Sequence, residues 1–570
     1  MSAPAAAGQG RPLTMIGPDF PFPYDTFRAH PAGLGCVPAI HHGTAVAVIG
    51  AGLAGTVVAY ELARMGLRPV VYEAEQIGGR MRSASFAGHP GPVAELGAMR
   101  FPPSSTTLFG YLDEVGLTTA AFPNPLAAAT PDTVIDLKGV TVHGRTLADL
   151  PAAFGRVARG WSDALEDGAG LSALQAAIRA RDPGEIAARW HRLVRRYDDT
   201  SFYRFLVDSA HMRSFADREL FGQVGFGTGG WDTDFANSIL EILRVVATGA
   251  DEDHRGIVGG SQQLPLRLWD RELPASDHWP AGTSVASLHE NRRPRPAVVE
   301  LRRTHPRGLT VTAADGTIAT YPAVVHTAPV WLLLNTIRTD ESLLDADHWS
   351  AVERTHYMGS SKVFVLVDRP FWRDRDPTTG RPAMSMTLTD RMPRGVYLFD
   401  GPLAGAPVDP QAGDEGPAVI CLSYTWTDDS LKLVPLTAAE RMDLMLDSLA
   451  AIYPDVDVRS HVIASPLTVS WEVERNFMGA FRANLPGHYR YQERLFTHFM
   501  QDRFAAAHRG LFLAGDDISW TAGWAEGAVQ TALNAVWGVM HQFGGRCHPQ
   551  NPGPGDRFAD LAPLRLPDST

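Results

Sequence analysis

The sequence predicts an α/β protein in which a parallel, Rossmann-like nucleotide-binding sheet opens near residue 44 and closes near residue 540, interrupted by a helical insertion and a mixed-sheet domain. Three observations predict it. The stretch TAVAVIGAGLAGTVVAYELARMGLRPVVYEAE reads as strand, glycine turn, helix and strand. Between about 108 and 250, segments such as SALQAAIRARDPGEIAARWHRLVRRYDD place apolar residues at three-to-four spacing. Far downstream, GLFLAGDDISW is a short apolar strand ending on a glycine and an acid, followed by the helical WAEGAVQTALNAVWGVM. The expected division is a leader over 1–43, a discontinuous nucleotide domain over 44–107, 256–330 and 501–548, a helical insertion over 108–255, a substrate domain over 331–500 and a tail over 549–570.

Taken in order, the leader is rich in proline and glycine, and its apolar IGPDFPFPYDTF is expected to lie across a neighbouring domain, with the first dozen residues loose. In the first nucleotide segment Gly50, Gly52 and Gly55 give the GxGxxG spacing, with Ala51 inside it: a tight turn, a backbone open to a pyrophosphate, and a helix packed close on its strand. The helix N-terminus then faces phosphate with partial positive charge. Glu73, beside Ala74, ends the second strand where an acid can accept from both ribose hydroxyls, which disfavours a 2′-phosphate. The following EQIGGRMRS offers Gly78, Gly79, Arg80 and Arg82 as a second turn that can wrap a pyrophosphate and bring guanidinium forks to it. NAD enzymes rarely carry such a turn. With Gly515 and Asp516 set to meet a ribityl chain and a diphosphate, and a final helix aimed at a flavin ring, the pattern favours FAD.

Composition narrows the class. The 570 residues are 45% hydrophobic and 20% charged, as in folded globular chains of several domains. A formal charge of −12 supplies no field for nucleic acid or an anionic membrane. Cys36, Cys421 and Cys547 are odd in number and show no CxxC spacing, which fits a reducing cytoplasm and no metal. The N-terminus lacks a secretory signal pattern. The long apolar run around VIGAGLAG is read as strand–turn–helix, its glycines and Glu61 arguing against a membrane span. Expected partners are small molecules rather than nucleic acid or membrane, with a homo-oligomer, a dimer or larger, as the assembly.

The chain resembles the flavin-containing amine oxidases, and within them the bacterial L-amino-acid monooxygenases, above all lysine 2-monooxygenase and its tryptophan and phenylalanine relatives. The residues that carry this run almost end to end: IGPDFPFPYD, HPAGLG, VAELGAMRFP, FGQVGFGTGGWDTDF, SSKVFVLVDRPFW, MTLTDR, LPGHYRY, AGDDISW and HPQNPGPGD. The loop GPLAGAPVDPQAGDEGP departs in length. The resemblance implies FAD, with Gly97, Ala98, Met99 and Arg100 near the flavin, Val298 on the adenine, and Trp524 and Ala525 opening the helix that faces the ring. It assigns Arg100 bidentate binding of the substrate carboxylate, competing with an ordinary surface ion pair. Lys362, in an otherwise apolar strand, is implied to hold a water against the flavin during reaction with dioxygen; snorkelling to solvent is the alternative. Tyr424 is either a second carboxylate ligand or strand packing. Trp426, Trp471, Phe481, Trp520 and Trp524 are candidate walls of the substrate slot. For the side chain, Asp232 and Asp234 either complement a helix dipole or, in the sharper reading, Asp234 pairs with the distal cation of lysine or arginine, Glu241 being a second candidate. The acidic DEDH run, 251–254, is expected as a solvated helix end.

The chemistry expected is hydride transfer from the α-carbon, giving an imino acid, with reoxidation by dioxygen making peroxide beside it. Peroxide attack on a trapped imino acid expels carbon dioxide and leaves an amide, 5-aminopentanamide from lysine or 4-guanidinobutanamide from arginine. Escape of the imino acid gives keto acid, ammonia and hydrogen peroxide, an L-amino-acid oxidase. A tryptophan or phenylalanine 2-monooxygenase is the other enzymatic alternative, and an inert FAD-bound binding protein the remotest.

Overall fold

A computed structural model describes residues 11–224, 236–304, 308–404 and 416–567. The nucleotide domain is built as its glycine pattern requires. Strand Ala45–Ile49 runs into Gly50–Gly52, helix Leu53–Arg64 follows, and Arg68–Tyr72 pairs parallel with the first strand. Val324–His326 and Leu511–Leu513 complete a parallel sheet in the order Arg68–Tyr72, Ala45–Ile49, Val324–His326, Leu511–Leu513. A Cβ on Gly55 would stand 1.9 Å from the Gly50 carbonyl oxygen, so only glycine lets this helix seat on its strand. Helix Ala525–Gln542, buried along almost its whole length, packs on Leu53–Arg64. A smaller sheet orders Ile318–Tyr321, Gly308–Ala313, Val298–Thr304 and Arg338–Thr339 beside it.

The second domain rests on a sheet in the order Leu467–Ser470, Ser360–Val367, Ala418–Trp426, Gly395–Phe399, Met386–Thr389, Thr133–Leu137, Val140–Gly144. Every residue of Ser360–Val367 is buried, which explains its unbroken apolar run around Lys362.

Two expectations need correction. The segment 108–255 is not helical throughout: Thr133–Leu137 pairs parallel with Met386–Thr389 and Thr119–Ala121 pairs with Arg255–Ile257, so the long helices begin at Ala152. Short strands whose partners lie far along the chain carry no local period to betray them. The acidic run is not a solvated helix end either, because His254 is buried and the preceding helix ends at Ala247.

The leader from residue 11 lies across the molecule as its apolar residues require. Phe20, Phe22, Tyr24 and Phe27 are buried, each worth about 1.5–3 kcal/mol of burial. Tyr24 donates to Asn534 at 2.8 Å, and Asp19 takes two hydrogen bonds from the buried Arg244 guanidinium. Of the first dozen residues, expected to be loose, 1–10 lie outside the described residues, and Arg11 and Pro12 are exposed. No helix among the described residues is long and apolar enough to cross a membrane.

Candidate active site

One long cavity collects most of the expected residues. At one end Tyr72, Glu73, Ala74 and Val298 line it; Gly52, Gly79, Arg80 and Gly515 follow; Ala98, Met99, Arg100, Lys362, Tyr424, Trp524 and Ala525 line the other end. The first strand, the turn before Arg100 and the closing Gly515–Asp516 thus meet across the chain.

The cavity walls fit FAD. Glu73 accepts from the Ala51 amide at 2.7 Å and the Glu75 amide at 2.8 Å, which holds its carboxylate at the end of the second strand. Gly52, the N-cap of Leu53–Arg64, faces the cavity with the helix's first turn, so partial positive charge meets the place a diphosphate would occupy. A Cβ on Gly97 would stand 1.8 Å from the Arg80 carbonyl oxygen, so the Arg100 turn sits flush on the second glycine turn. Arg80 donates to Asp516 at 3.2 Å and to the Ala480 carbonyl at 3.0 Å, tying the two turns together. Burial pushes the Asp516 carboxyl up to about 6, with Arg80 pulling the other way.

Arg82 does not join them. It pairs with Glu75 and Glu474 and lies 4.8 Å from the Trp471 ring, away from the cavity lining. Trp520 is also elsewhere, buried and stacked on Tyr489 at 4.9 Å. Trp426, Trp471, Phe481 and Trp524 do line the cavity; Trp426 meets Tyr424 and Phe481 edge-on. Asp232 and Asp234 lie outside the described residues; the helix they were expected to precede, Ile239–Ala247, is capped by Ser238.

Arg100 stands in an aromatic box. Its guanidinium carbon is 5.8 Å from the Phe122 ring, 5.7 Å from Tyr397 and 5.4 Å from Tyr424, and Nη1 donates to the Tyr397 hydroxyl at 3.4 Å. Among the described residues no carboxylate pairs with it. A half-buried cation flanked by three rings, with no carboxylate partner among the described residues, is able to take a ligand carboxylate. Next to it, the Phe101–Arg255 backbone pair brings in His254, whose Nδ1 lies 2.7 Å from Asn124 Nδ2 and whose Nε2 lies 2.8 Å from the Ala250 carbonyl. Burial, reinforced by Arg100, pulls this imidazole down to about 3, so it is neutral, accepting at Nδ1 and donating from Nε2, with its ring 5.5 Å from Trp524.

Lys362 does not snorkel. It is 2% exposed, and Nζ donates to the carbonyls of Glu95 at 3.0 Å and Gly97 at 2.5 Å, beneath the Tyr424 ring at 4.8 Å. Two of its three donors are used, and the side chain lines the cavity. Burial pulls the ammonium down to about 8, against opposing pulls from Cys421 and Glu95.

Glu241 and Asp251 are the acids of the cavity's outer wall. Glu241 accepts from Arg244 at 2.5 Å and Asn484 at 3.1 Å and lies 3.6 Å from the buried Arg482, so its charge is already compensated. Among the described residues no arginine or lysine pairs with Asp251, whose carboxyl burial pushes up to about 7, Glu252 adding to the rise. Phe122, Tyr397, His254, Asp251 and Arg482 were missed from the sequence. For most of them only the strand or loop alternation of short segments could have signalled a role; Asp251 and His254 stood in a run read as solvated.

Known proteins resemble this chain in sequence and in fold. The model of the family described as flavin containing amine oxidoreductase matches residues 53–540. The chain is 33% identical over 539 residues to a tryptophan 2-monooxygenase of Pseudomonas savastanoi, covering 89% of this chain and 91% of the relative. It is 27% identical over 525 residues to the flavin-dependent L-tryptophan oxidase RebO of Lentzea aerocolonigenes, covering 86% and 97%. In fold it is similar to putrescine oxidase, TM-score 0.62 at 19% identity over 88% of this chain and 99% of that one, and to cyclohexylamine oxidase from Brevibacterium oxydans, TM-score 0.62 at 18% identity over 88% and 100%. The matched monooxygenases bear the tryptophan name rather than the lysine one, so these relatives back the aromatic alternative better than the basic-substrate expectation.

Proposed function

The chain belongs to the flavin containing amine oxidoreductases, and on that premise we propose that it is an FAD-dependent L-amino-acid 2-monooxygenase. The observation that carries the proposal is Arg100: a boxed guanidinium without a protein anion, in the same cavity as Lys362 and the nucleotide turn. An amine oxidase for simple amines has no use for such a group; an amino acid does. The overall reaction is R–CH(NH2)–COOH + O2 → R–CO–NH2 + CO2 + H2O. Bound FAD supplies a two-electron acceptor that delivers the pair to dioxygen.

The chain's own residues do the rest. Arg100 grips the carboxylate and so fixes the α-carbon. Trp426, Phe481 and Trp524 wall the slot and exclude bulk water, so that the imino acid stays beside the peroxide formed with it. Lys362 keeps one N–H directed to the cavity for an ordered water.

For the side chain we favour a basic residue, lysine or arginine, because Asp251 supplies the wall with a carboxylate that no arginine or lysine among the described residues neutralises. A cation there gains a charge-assisted partner, and a neutral side chain leaves the acid unpaired. The second reading, tryptophan, is supported by the relatives and by the apolar Ile242, Val245 and Trp524 that line the same cavity. We assign cofactor binding to the nucleotide part and substrate binding to the mixed-sheet part, with the leader contributing Asp19 to the Arg244–Glu241 pair.

Anaerobic bleaching of the flavin, screened across the twenty amino acids, tests this reading. Fastest bleaching by lysine or arginine is the expected result. Bleaching by tryptophan or phenylalanine alone removes the basic-substrate reading, and no bleaching by any amino acid removes the enzyme.

A further inference from the structure

Lys362 is one of three lysines in the chain, with Lys138 and Lys432, and the other two are exposed. An ammonium buried at 2% exposure needs an anion, yet its two hydrogen bonds go to neutral carbonyls. The groups that face it are few. Cys421 lies across the neighbouring strand, but burial pushes its thiol up to about 12, so it carries no charge at neutral pH. Arg100 has the same sign as the lysine and works against its protonation. Tyr424, paired with Lys362 in register, offers only its ring face.

What remains is Glu95, whose backbone carbonyl already holds Nζ. Its carboxylate is caught in a dedicated cradle: the Ser261 amide donates to Oε1 at 2.6 Å, and the Ser261 and Ser83 hydroxyls donate to Oε2, each at 2.9 Å. None of these donors carries charge, and among the described residues the carboxylate makes no direct ion pair. Burial pushes the Glu95 carboxyl up, while the serine donors and Lys362 pull it down. The cradle therefore fixes a carboxylate on the residue whose carbonyl holds Nζ, without consuming a lysine donor, leaving the third N–H for the cavity.

We propose that Glu95 is a positioning residue, the remote counter-charge that keeps Lys362 protonated while its ammonium faces the flavin, with Ser83 and Ser261 holding that charge in place. The structural half of this stands on the cradle alone; its consequence for reaction with dioxygen rests on the function proposed above.

Three lysines make the test direct. Holoprotein labelled with [13Cε]-lysine gives three side-chain resonances, and Lys362→Met assigns the buried one. In the parent protein its titration midpoint should lie near 8, and Glu95→Gln should lower it by about one pH unit, the low end for loss of an opposite charge. Glu95→Asp should restore most of the shift. Coincident midpoints in the parent and Glu95→Gln proteins overturn the proposal. If Glu95→Gln fails to fold, as the Lys138 and Lys432 resonances will report, the parent spectrum decides: the Lys362 resonance should show a second, smaller inflection at acid pH as Glu95 protonates, and a flat trace there overturns it. The pH dependence of flavin reoxidation by dioxygen should move with the midpoint. A shifted midpoint with an unshifted reoxidation profile leaves Glu95 as the counter-charge and refutes instead the role given to Lys362.

Discussion

Replacing Arg100 with alanine removes a cavity guanidinium that has no carboxylate partner among the described residues. A guanidinium gripping a carboxylate makes two charge-assisted hydrogen bonds, each worth about 1.5–3 kcal/mol. Their loss costs about 3–6 kcal/mol, or roughly 10²- to 10⁴-fold in the ratio of flavin-reduction rate to substrate dissociation constant. The box of Phe122, Tyr397 and Tyr424 argues for the upper half of that range, since it leaves little room for water to replace the fork. Arg100→Lys keeps the charge but loses the planar fork, and should recover only part of the deficit. The assay is anaerobic stopped-flow reduction with an amino acid and with the amine that lacks its carboxylate, cadaverine against lysine or tryptamine against tryptophan. The parent protein should strongly prefer the amino acid, and Arg100→Ala should abolish that preference by weakening the amino acid alone. Equal weakening of acid and amine would refute the assignment, because it would show that Arg100 shapes the cavity rather than holding a carboxylate.

Other outcomes follow from the same geometry. Asp251→Asn should lower reduction by lysine and arginine at least tenfold, about 1.4 kcal/mol, and leave tryptophan unchanged, measured by the same stopped-flow method. Gly55→Ala should yield protein without bound FAD, read from the visible spectrum after purification, because its Cβ would collide with the Gly50 carbonyl. Lys362→Met should slow flavin reoxidation by dioxygen while leaving the anaerobic reductive step within a few-fold. His254, neutral down to about pH 3 in the folded chain, has a folded-state value below the ordinary 6.5 of the unfolded chain. Its contribution to stability is therefore complete above about 6.5 and is lost progressively as the pH falls toward 3, so His254→Gln should flatten the acid loss of melting temperature relative to the parent protein over that window.

The sequence made the nucleotide half legible because its constraints are local. Gly50, Gly52 and Gly55 sit in one turn, Glu73 follows at the end of the next strand, and each residue's reason lies within a short stretch of chain. Arg100 and Lys362 were singled out through motif resemblance, and the structure adds their surroundings: among the described residues one has no carboxylate partner and the other is buried on carbonyls. What escaped was non-local. The box of Phe122 and Tyr397 is assembled by the short pairing of Thr119–Ala121 with Arg255–Ile257, which Phe122 follows, and by the strand Gly395–Phe399, neither of which leaves a periodic trace. Arg82 was misread because a second arginine in a glycine turn suggests another phosphate fork; Glu75 and Glu474 claim it instead. DEDH looked solvated because four polar residues in a row normally are, yet the Phe101–Arg255 pairing draws His254 into the interior beside Arg100.

The central claim is that Arg100, Lys362 and the aromatic walls keep the imino acid beside the peroxide long enough for decarboxylation. Mass spectrometry of the product formed under 18O2 tests this directly. The account predicts the amide one carbon shorter than the substrate, carrying one heavy oxygen, with an equal yield of carbon dioxide; keto acid, ammonia and free labelled peroxide as the main products would contradict it.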